Sequence, residues 1–591
     1  MTPMSKFFTD REGSGIRVDL IRAALLAVIT VLLWCTLYHR WTAESWQTPL
    51  TYFSTPKEGD VIGLLAAVRT ARDGHLSLFQ FTNIPELGAP HIANWDDFPL
   101  TEKPLLCLMG LLARAIGLFA AANVAVLLGQ VLAALSFYAA CRLLSCSWVW
   151  SFAGALVFAL SRYAFAHGLY HITVAYDWHV PLCLVVCEWL MRGEGIKLGE
   201  RRFGFALIVA FVTGVQNVYY TCMFLQFVFF GGLLQGWRRG WRQALPAAAI
   251  IGASAAAFLL MNLNTIFYHL VHGGNSGAVV RDYRWLEVYG LKLVDLVVPP
   301  PNHAFPPFAA WGSHHLTEVL LSPGELPPSA YLGLLGLGAL AWLVIVSWQR
   351  AANRSMLPLE ALLILWIILF ATVGGINGVM GTLGFQMFRA TTRYSIFIFC
   401  IVLMHAVRRL SLVAPAEGSK DGKKPWVHGL ALLVVLIAWW DQTPPMVSDQ
   451  DWKGIAGEVA SDHHFTENME QRLFPGAMVF QFPVMDFPES PAPGVGAYEH
   501  LRPYLYSHDL RFSFGTDKGR PGEEWQHQLD KVPLGDMVAQ LESDGFAAVY
   551  VNRNGFSDGG AGLIKAFQAM GRGDMIESER GDLFCLFLKR K

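Results

Sequence analysis

The sequence predicts a polytopic α-helical membrane protein, with about eleven transmembrane helices and a small C-terminal α/β domain. Three observations predict it. Of 591 residues, 53% are hydrophobic and only 15% charged, with a mean hydropathy of +0.37, whereas a soluble chain carries about a quarter charged residues. Apolar runs recur from residue 18 to residue 441, and a span needs about 20 such residues. Beyond residue 441 the pattern turns polar, with short β-like runs between helical ones.

The runs place spans near 18–38, 120–143, 147–165, 177–192, 203–219, 220–236, 244–263, 329–348, 356–375, 391–408 and 426–441. Alternate connections are basic: Arg11 and Arg17; Arg142; Arg192, Lys197, Arg201 and Arg202; Arg238, Arg239 and Arg242; Arg350 and Arg354; Arg408, Arg409, Lys420, Lys423 and Lys424. The positive-inside rule makes that side cytoplasmic, so the N-terminus is expected inside and, after an odd number of spans, the C-terminal region outside. The N-terminal stretch has no cleavable signal pattern. The expected organisation is a transmembrane domain over 1–441 and an extracytoplasmic α/β domain over 442–591.

Two outside loops are long. The first, 42–103, carries Asp60, His91, Asp96, Asp97, Glu102 and Lys103. Loops that only join elements are short, so a long one dense in carboxylates beside a membrane entry point is a candidate site. Within it, Val61 to Ala71 has helical spacing, and Lys103-Pro104 opens a second apolar helix too short for a span. The second, 264–328, is rich in Pro and Gly and holds Arg281 and Arg284. In the C-terminal region, Met478 to Phe482, Phe546 to Val551 and Leu583 to Leu588 read as strands, and Leu534 to Leu541 and Leu563 to Met570 as helices.

Other classes find little support. A formal net charge of −1 gives no argument for nucleic acid. The nine cysteines show neither CxxC spacing nor a disulfide framework. No P-loop, GxGxxG, GxSxG or HExxH pattern occurs.

Four local patterns, in this order along the chain, resemble the GT-C class of membrane glycosyltransferases, which use polyprenyl-phosphate sugars. Gly59-Asp60 follows the first span. Glu102-Lys103-Pro104-Leu105 resembles the charged-Pro entry to the next membrane helix. Tyr331-Leu332-Gly333 opens a late span. Phe388-Arg389-Ala390-Thr391-Thr392-Arg393-Tyr394 is similar to an FR-x-x-x-R-(F/Y) stretch at the outer end of a span. The resemblance covers roughly residues 15–441 and implies sugar transfer from a lipid phosphate to an outside acceptor.

That chemistry needs a base for the acceptor hydroxyl and cations for the departing phosphate. Asp60 is the first candidate base, and it would equally serve as an N-cap. Asp96 and Asp97 form a second acidic centre. They are candidates for the base, for a divalent cation such as Mg or Mn, or for a solvated turn. His91 joins either centre or the surface. Glu102 and Lys103 are substrate-binding candidates, Lys103 toward phosphate or as a snorkelling side chain. Arg389 and Arg393 are four residues apart, which on a helix is one face. Guanidinium forks suit phosphate, and headgroup anchoring is the plainer reading. Arg281 and Arg284 are weaker members of the same set. Arg162, His167, His171, Asp177 and His179 cluster at one outer turn and fit a cavity mouth better than a metal site.

The reading is a multi-pass glycosyltransferase of the inner (plasma) membrane. Its expected partners are a polyprenyl-phosphate sugar, a glycan, lipid or protein acceptor, and the bilayer, with no nucleic acid. The alternatives are a transporter or flippase of a lipid-linked saccharide and a non-catalytic envelope accessory protein. A transporter would favour internal repeats and midplane charges, and neither is evident.

Overall fold

The computed structural model describes residues 13–52, 60–193, 196–319, 324–325, 329–413 and 425–589. Arg11, Gly59, Lys420, Lys423 and Lys424, singled out above, lie outside them. The chain forms two compact units. One comprises Met1–Arg40, Val126–Leu259 and Arg281–Met446; the other comprises Trp41–Ala125, Leu260–Val280 and Val447–Lys591.

Seven helices among the described residues are long and apolar enough to cross a membrane: Ile16–Leu37, Leu118–Leu143, Trp148–His167, Val218–Arg239, Trp241–Met261, Gly333–Ala352 and Thr391–Ser411. Three of the expected eleven spans are shorter in the structure. Val180–Arg192 and Leu359–Ala371 have 13 residues each, and Arg201–Gly214 has 14. At 1.5 Å per residue these reach about 20 Å, against a hydrocarbon core of about 30 Å. The last expected span is the 18-residue helix Pro425–Gln442.

The first unit is held by an apolar core in which Phe158 stacks between Phe137, at 5.2 Å, and Phe399, at 6.2 Å. Gly154 allows this approach, because a Cβ there would lie 2.6 Å from Val407 and 2.9 Å from the Phe137 ring. Small residues at helix crossings commonly serve this purpose in membranes. Asp441 explains the Tyr331-Leu332-Gly333 pattern. Its carboxylate accepts from Tyr331 Oη and from the Leu334 amide, both at 2.9 Å, at the start of the helix Gly333–Ala352. A carboxylate is favoured at a helix N-terminus, and Gly333, at φ +73°, makes the sharp entry.

The second unit contains two helices from the first long loop, α1 (Asp60–Asp73) and α2 (Lys103–Ile116), between which lies a short hairpin, β1 (Asn83–Ile84) with β2 (Ala93–Asn94). Helix α3 (Leu263–His272) and the long α4 (Asp449–Arg472) follow. The C-terminal region supplies β3 (Met478–Phe482), β4 (Arg511–Phe512), β5 (Phe546–Asn552), β6 (Met575–Glu577) and β7 (Leu583–Phe587), in the order β4-β3-β5-β7-β6. β3 is parallel to β4 and β5, while β7 is antiparallel to β5 and β6. Helices Leu534–Ser543 and Ala561–Ala569 match the helical runs of the sequence.

The first loop extends this sheet. Phe512 N donates to Glu86 O at 2.8 Å, and Ala89 N donates to Phe512 O at 2.9 Å, so residues 86–89 continue the ladder beyond β4. α1 buries Val61, Ile62, Leu65, Ala66 and Val68 completely. Gly63 lies under Tyr498, whose ring a Cβ would meet at 2.9 Å. Arg502 is fully buried at the centre. It donates to Asp462 Oδ2 at 2.8 Å and to Asp582 at 2.9 Å, and Tyr52 of the first loop donates to the same Asp462 oxygen at 2.7 Å.

Removing one partner of such a buried pair leaves an uncompensated charge. Arg502→Ala should therefore destabilise the protein by roughly 3–5 kcal/mol in thermal or denaturant unfolding. A change below about 1 kcal/mol, the scale of a surface pair, would contradict a structural role for this arginine.

Candidate functional site

Asp60 is the first residue of α1 and is half-buried. Lys103 is the first residue of α2, which Pro104 initiates, and is 2% exposed. The Lys103 ammonium donates to Asn264 Oδ1 on α3, and Asn264 Nδ2 donates to Asp96 Oδ1. Burial pulls the Lys103 pKa below that of an ordinary lysine, and the charge of Asp96 only partly opposes this.

Asp96 is fixed on every side. Its Oδ2 accepts from Thr82 N at 2.7 Å and Asn94 Nδ2 at 3.0 Å, and its Oδ1 accepts from Thr82 Oγ1 at 3.1 Å. Asp97 takes a two-pronged bond from Arg520, Nε to Oδ2 at 2.7 Å and Nη2 to Oδ1 at 2.6 Å. Asn275 donates to Asp97 Oδ2 at 2.7 Å, and His269 Nε2 lies 3.2 Å from Oδ1. Burial acts to raise the Asp97 pKa. The bonds from Arg520 and Asn275, with the charges of Arg520 and His269, more than offset it and hold the carboxyl below its ordinary range.

Arg520 also donates to the carbonyls of His272, at 3.1 Å, and Gly273, at 3.2 Å, at the C-terminal end of α3, and its guanidinium sits over the Tyr268 ring. Asn275 additionally donates to Lys518 O at 2.9 Å. Three distant stretches of sequence thus meet at one acidic pair. Asp517 joins them as a third carboxylate, 2% exposed, and neither of its oxygens makes a hydrogen bond of normal geometry.

Several expectations change. The divalent cation considered for Asp96 and Asp97 does not fit, because hydrogen-bond donors already saturate both carboxylates. Nor are they a solvated turn, being 1% and 5% exposed. His91 is exposed and joins neither acidic centre; its ring is edge-on to Trp525 and its carbonyl accepts from Arg511 at 2.8 Å. Glu102 is the N-cap residue of α2, without a side-chain capping bond.

In the other unit, Arg389 and Arg393 do not share a helical face. The helix Ile376–Thr382 ends before Arg389, and Arg393 lies in a 3-10 turn, Thr391–Tyr394. Thr391, between them, is tied to another stretch of chain, its hydroxyl donating to Ala371 O at 2.6 Å. Arg393 forms a two-pronged pair with Glu325, its Nε at 3.0 Å from Oε2, and His171 lies 3.7 Å from the same carboxylate. Burial acts to raise the Glu325 pKa, but Arg393 brings it to about 2. Arg389 stands over Tyr289. Arg284 is 84% exposed and paired with Asp282 at 2.8 Å, and Arg281 adjoins that pair in sequence. His167 and His179 are buried on separate partners, Tyr163 O and Thr213 Oγ1.

Sequence reasoning missed Asn264, His269, Asn275, Asp517, Arg520 and Glu325. Arg520 left one signal, its place in the charged turn Asp517-Lys518-Gly519-Arg520 just before Pro521.

No family model matches the chain, and no curated protein matches its sequence. The structure is similar over 98% of its length to 98% of ArnT from Cupriavidus metallidurans, solved with undecaprenyl phosphate, at TM-score 0.46 and 12% identity. It is similar over 90% of its length to 69% of the apo oligosaccharyltransferase of Archaeoglobus fulgidus, at TM-score 0.41 and 12% identity. A third likeness is to AglB of Archaeoglobus fulgidus with an inhibitory peptide and a dolichol-phosphate, at TM-score 0.41 and 11% identity, over 92% of this chain and 70% of that one. Likenesses this distant assign no residue and no reaction.

The Asp97–Arg520 fork yields two expectations. Arg520→Ala should destabilise by roughly 3–5 kcal/mol in denaturant unfolding, with only part recovered by Arg520→Lys, because a point charge lacks the fork. Because the folded Asp97 pKa is depressed, its stabilisation is present above the unfolded value of about 3.9 and is lost as pH falls through the folded one. Melting temperature should therefore fall more steeply below about pH 4 in the wild type than in Asp97→Asn. Equal acid slopes would contradict the fork's role.

Proposed function

We propose that this protein is a membrane glycosyltransferase that moves a sugar from a polyprenyl-phosphate donor to a hydroxyl on an extracytoplasmic acceptor, such as a cell-envelope glycan. The observation that carries the reading is the buried Lys103, held at the entry of α2 by Asn264 and Asp96 in the same unit as Asp60. Placing an ammonium out of water is unfavourable without a task or a partner. Here Asn264 takes one of the three ammonium donors, with Asp96 behind it, and the remaining donors are what an anion would meet. The order of the four GT-C-like motifs supports the same reading.

In this reaction Asp60 accepts the proton of the acceptor hydroxyl. The freed oxygen attacks the anomeric carbon, the bond from that carbon to the phosphate oxygen breaks, and the phosphate leaves with the electron pair. Lys103 offsets the charge that grows on the phosphate, where a desolvated cation acts most strongly. Asp96 orients Lys103 through Asn264. Within its own unit, Arg393 presents a guanidinium fork that Glu325 occupies as a phosphate would. Arg281 and Arg284, at the exposed edge, contribute to the field that attracts anionic lipid.

Donor consumption by purified variants tests the assignment. Asp60→Asn should bind donor but turn over about a hundredfold more slowly. Lys103→Ala should weaken donor use by about ten- to a hundredfold, matching a charged hydrogen bond of roughly 1.5–3 kcal/mol. Full activity in Asp60→Asn together with loss in Asp96→Asn would move the base to the second acidic centre.

A further inference from the structure

The Asp96–Asp97 cluster contains more carboxyl groups than permanent cations. Asp96, Asp97 and Asp517 are 1%, 5% and 2% exposed. Two permanent cations face them, Lys103 through Asn264 and Arg520 directly. His269, 3.2 Å from Asp97, and the Tyr268 phenol are the titratable groups that α3 adds. On the side of Asp517 that bridges Phe487, Asp486 is satisfied by His527, and Lys518 by Pro488 O and Ser490. With all three carboxyls ionised, Lys103 and Arg520 balance two of them, and the third is balanced only if His269 is also charged; with a neutral imidazole the cluster is one positive charge short.

The hydrogen bonds decide where a compensating proton sits. Asp96 accepts from Thr82, Asn94 and Asn264, and Asp97 accepts from Arg520 and Asn275. Donors of this kind stabilise the ionised form. Asp517 accepts no hydrogen bond of normal geometry, and the donor that approaches it is the Asp97 amide. An isolated buried carboxylate is strongly disfavoured in a low-dielectric site and takes a proton instead.

We propose that Asp517 is the proton-holding carboxyl of this cluster and a positioning residue: neutral, it leaves the Arg520 fork on Asp97, and ionised, it competes for Arg520 and loosens the first loop. The electrostatics agree. Burial, then the charges of Asp97 and Asp96, push its pKa well above the carboxylate range, and Arg520 and the Asp97 amide only partly oppose them. The proton-holding role is independent of the glycosyltransferase reading; only the consequence for turnover rests on it.

A group whose folded pKa is raised favours folding fully below its unfolded pKa, and this advantage is lost as pH rises toward the folded value. Thermal unfolding of the full-length protein in detergent, between pH 4.5 and 9, therefore tests the proposal. Asp517→Asn, which is permanently neutral, should gain on the wild type as pH rises, by up to about tenfold in the folding equilibrium per pH unit. Asp517→Ala should show the same relative gain even if it melts lower throughout, and Asp486→Asn should keep the wild-type slope. Parallel curves for wild type and Asp517→Asn would overturn the proposal. In a donor-turnover assay, Asp517→Asn should also shift the alkaline limb of the pH profile upward. If no donor is turned over, the unfolding slopes still decide the proton-holding role, so a failure of the functional reading stays separate.

Discussion

The fork of Arg520 on Asp97 is the constraint on which the second unit depends. It joins residues 423 apart in sequence, and the same guanidinium holds the end of α3. α3 in turn supplies Asn264, which links Lys103 to Asp96. If Asp97 is released, the groups that fix Lys103 lose their anchor. A long loop would otherwise sample many conformations, at roughly 1–2 kcal/mol of backbone entropy per residue. Buried charge pairing and the ladder that residues 86–89 add beyond β4 together offset that entropy. Such a network is stabilising only while each member keeps its partner.

Much of the fold was legible because it follows from local pattern. Apolar runs of about 20 residues marked the long spans, and short, nearly continuous apolar runs set in a polar region marked β3, β5 and β7. The length of the shorter helices was not legible. At 177–192 the hydropathy window merged the helix Val180–Arg192 with Asp177 and His179, which are buried in the turn before it. Burial inside protein and burial in lipid select the same apolar residues, so composition alone cannot separate them.

The site was legible in part. Asp60 and Lys103 could be singled out because each begins a helix, a position that sequence marks through Gly, Pro and the first apolar residue. Asn94-Trp95-Asp96-Asp97 was readable as a turn, but its burial was not, since that comes from Trp95 stacked on Phe487 and from Arg520, both in the C-terminal region. Arg389 and Arg393 show the opposite failure. A spacing of four implied a shared face only if the segment were helical, and the hydroxyl of Thr391 takes a backbone carbonyl that lies 20 residues away.

The central claim is that buried Lys103 serves a leaving phosphate. Its most direct test incubates purified protein with a panel of polyprenyl-phosphate sugars and follows the release of polyprenyl phosphate. At least one donor should be consumed with stoichiometric release of the lipid phosphate. Movement of an intact lipid-linked saccharide across vesicles, with no bond to the phosphate broken, would contradict the claim and identify a transporter instead.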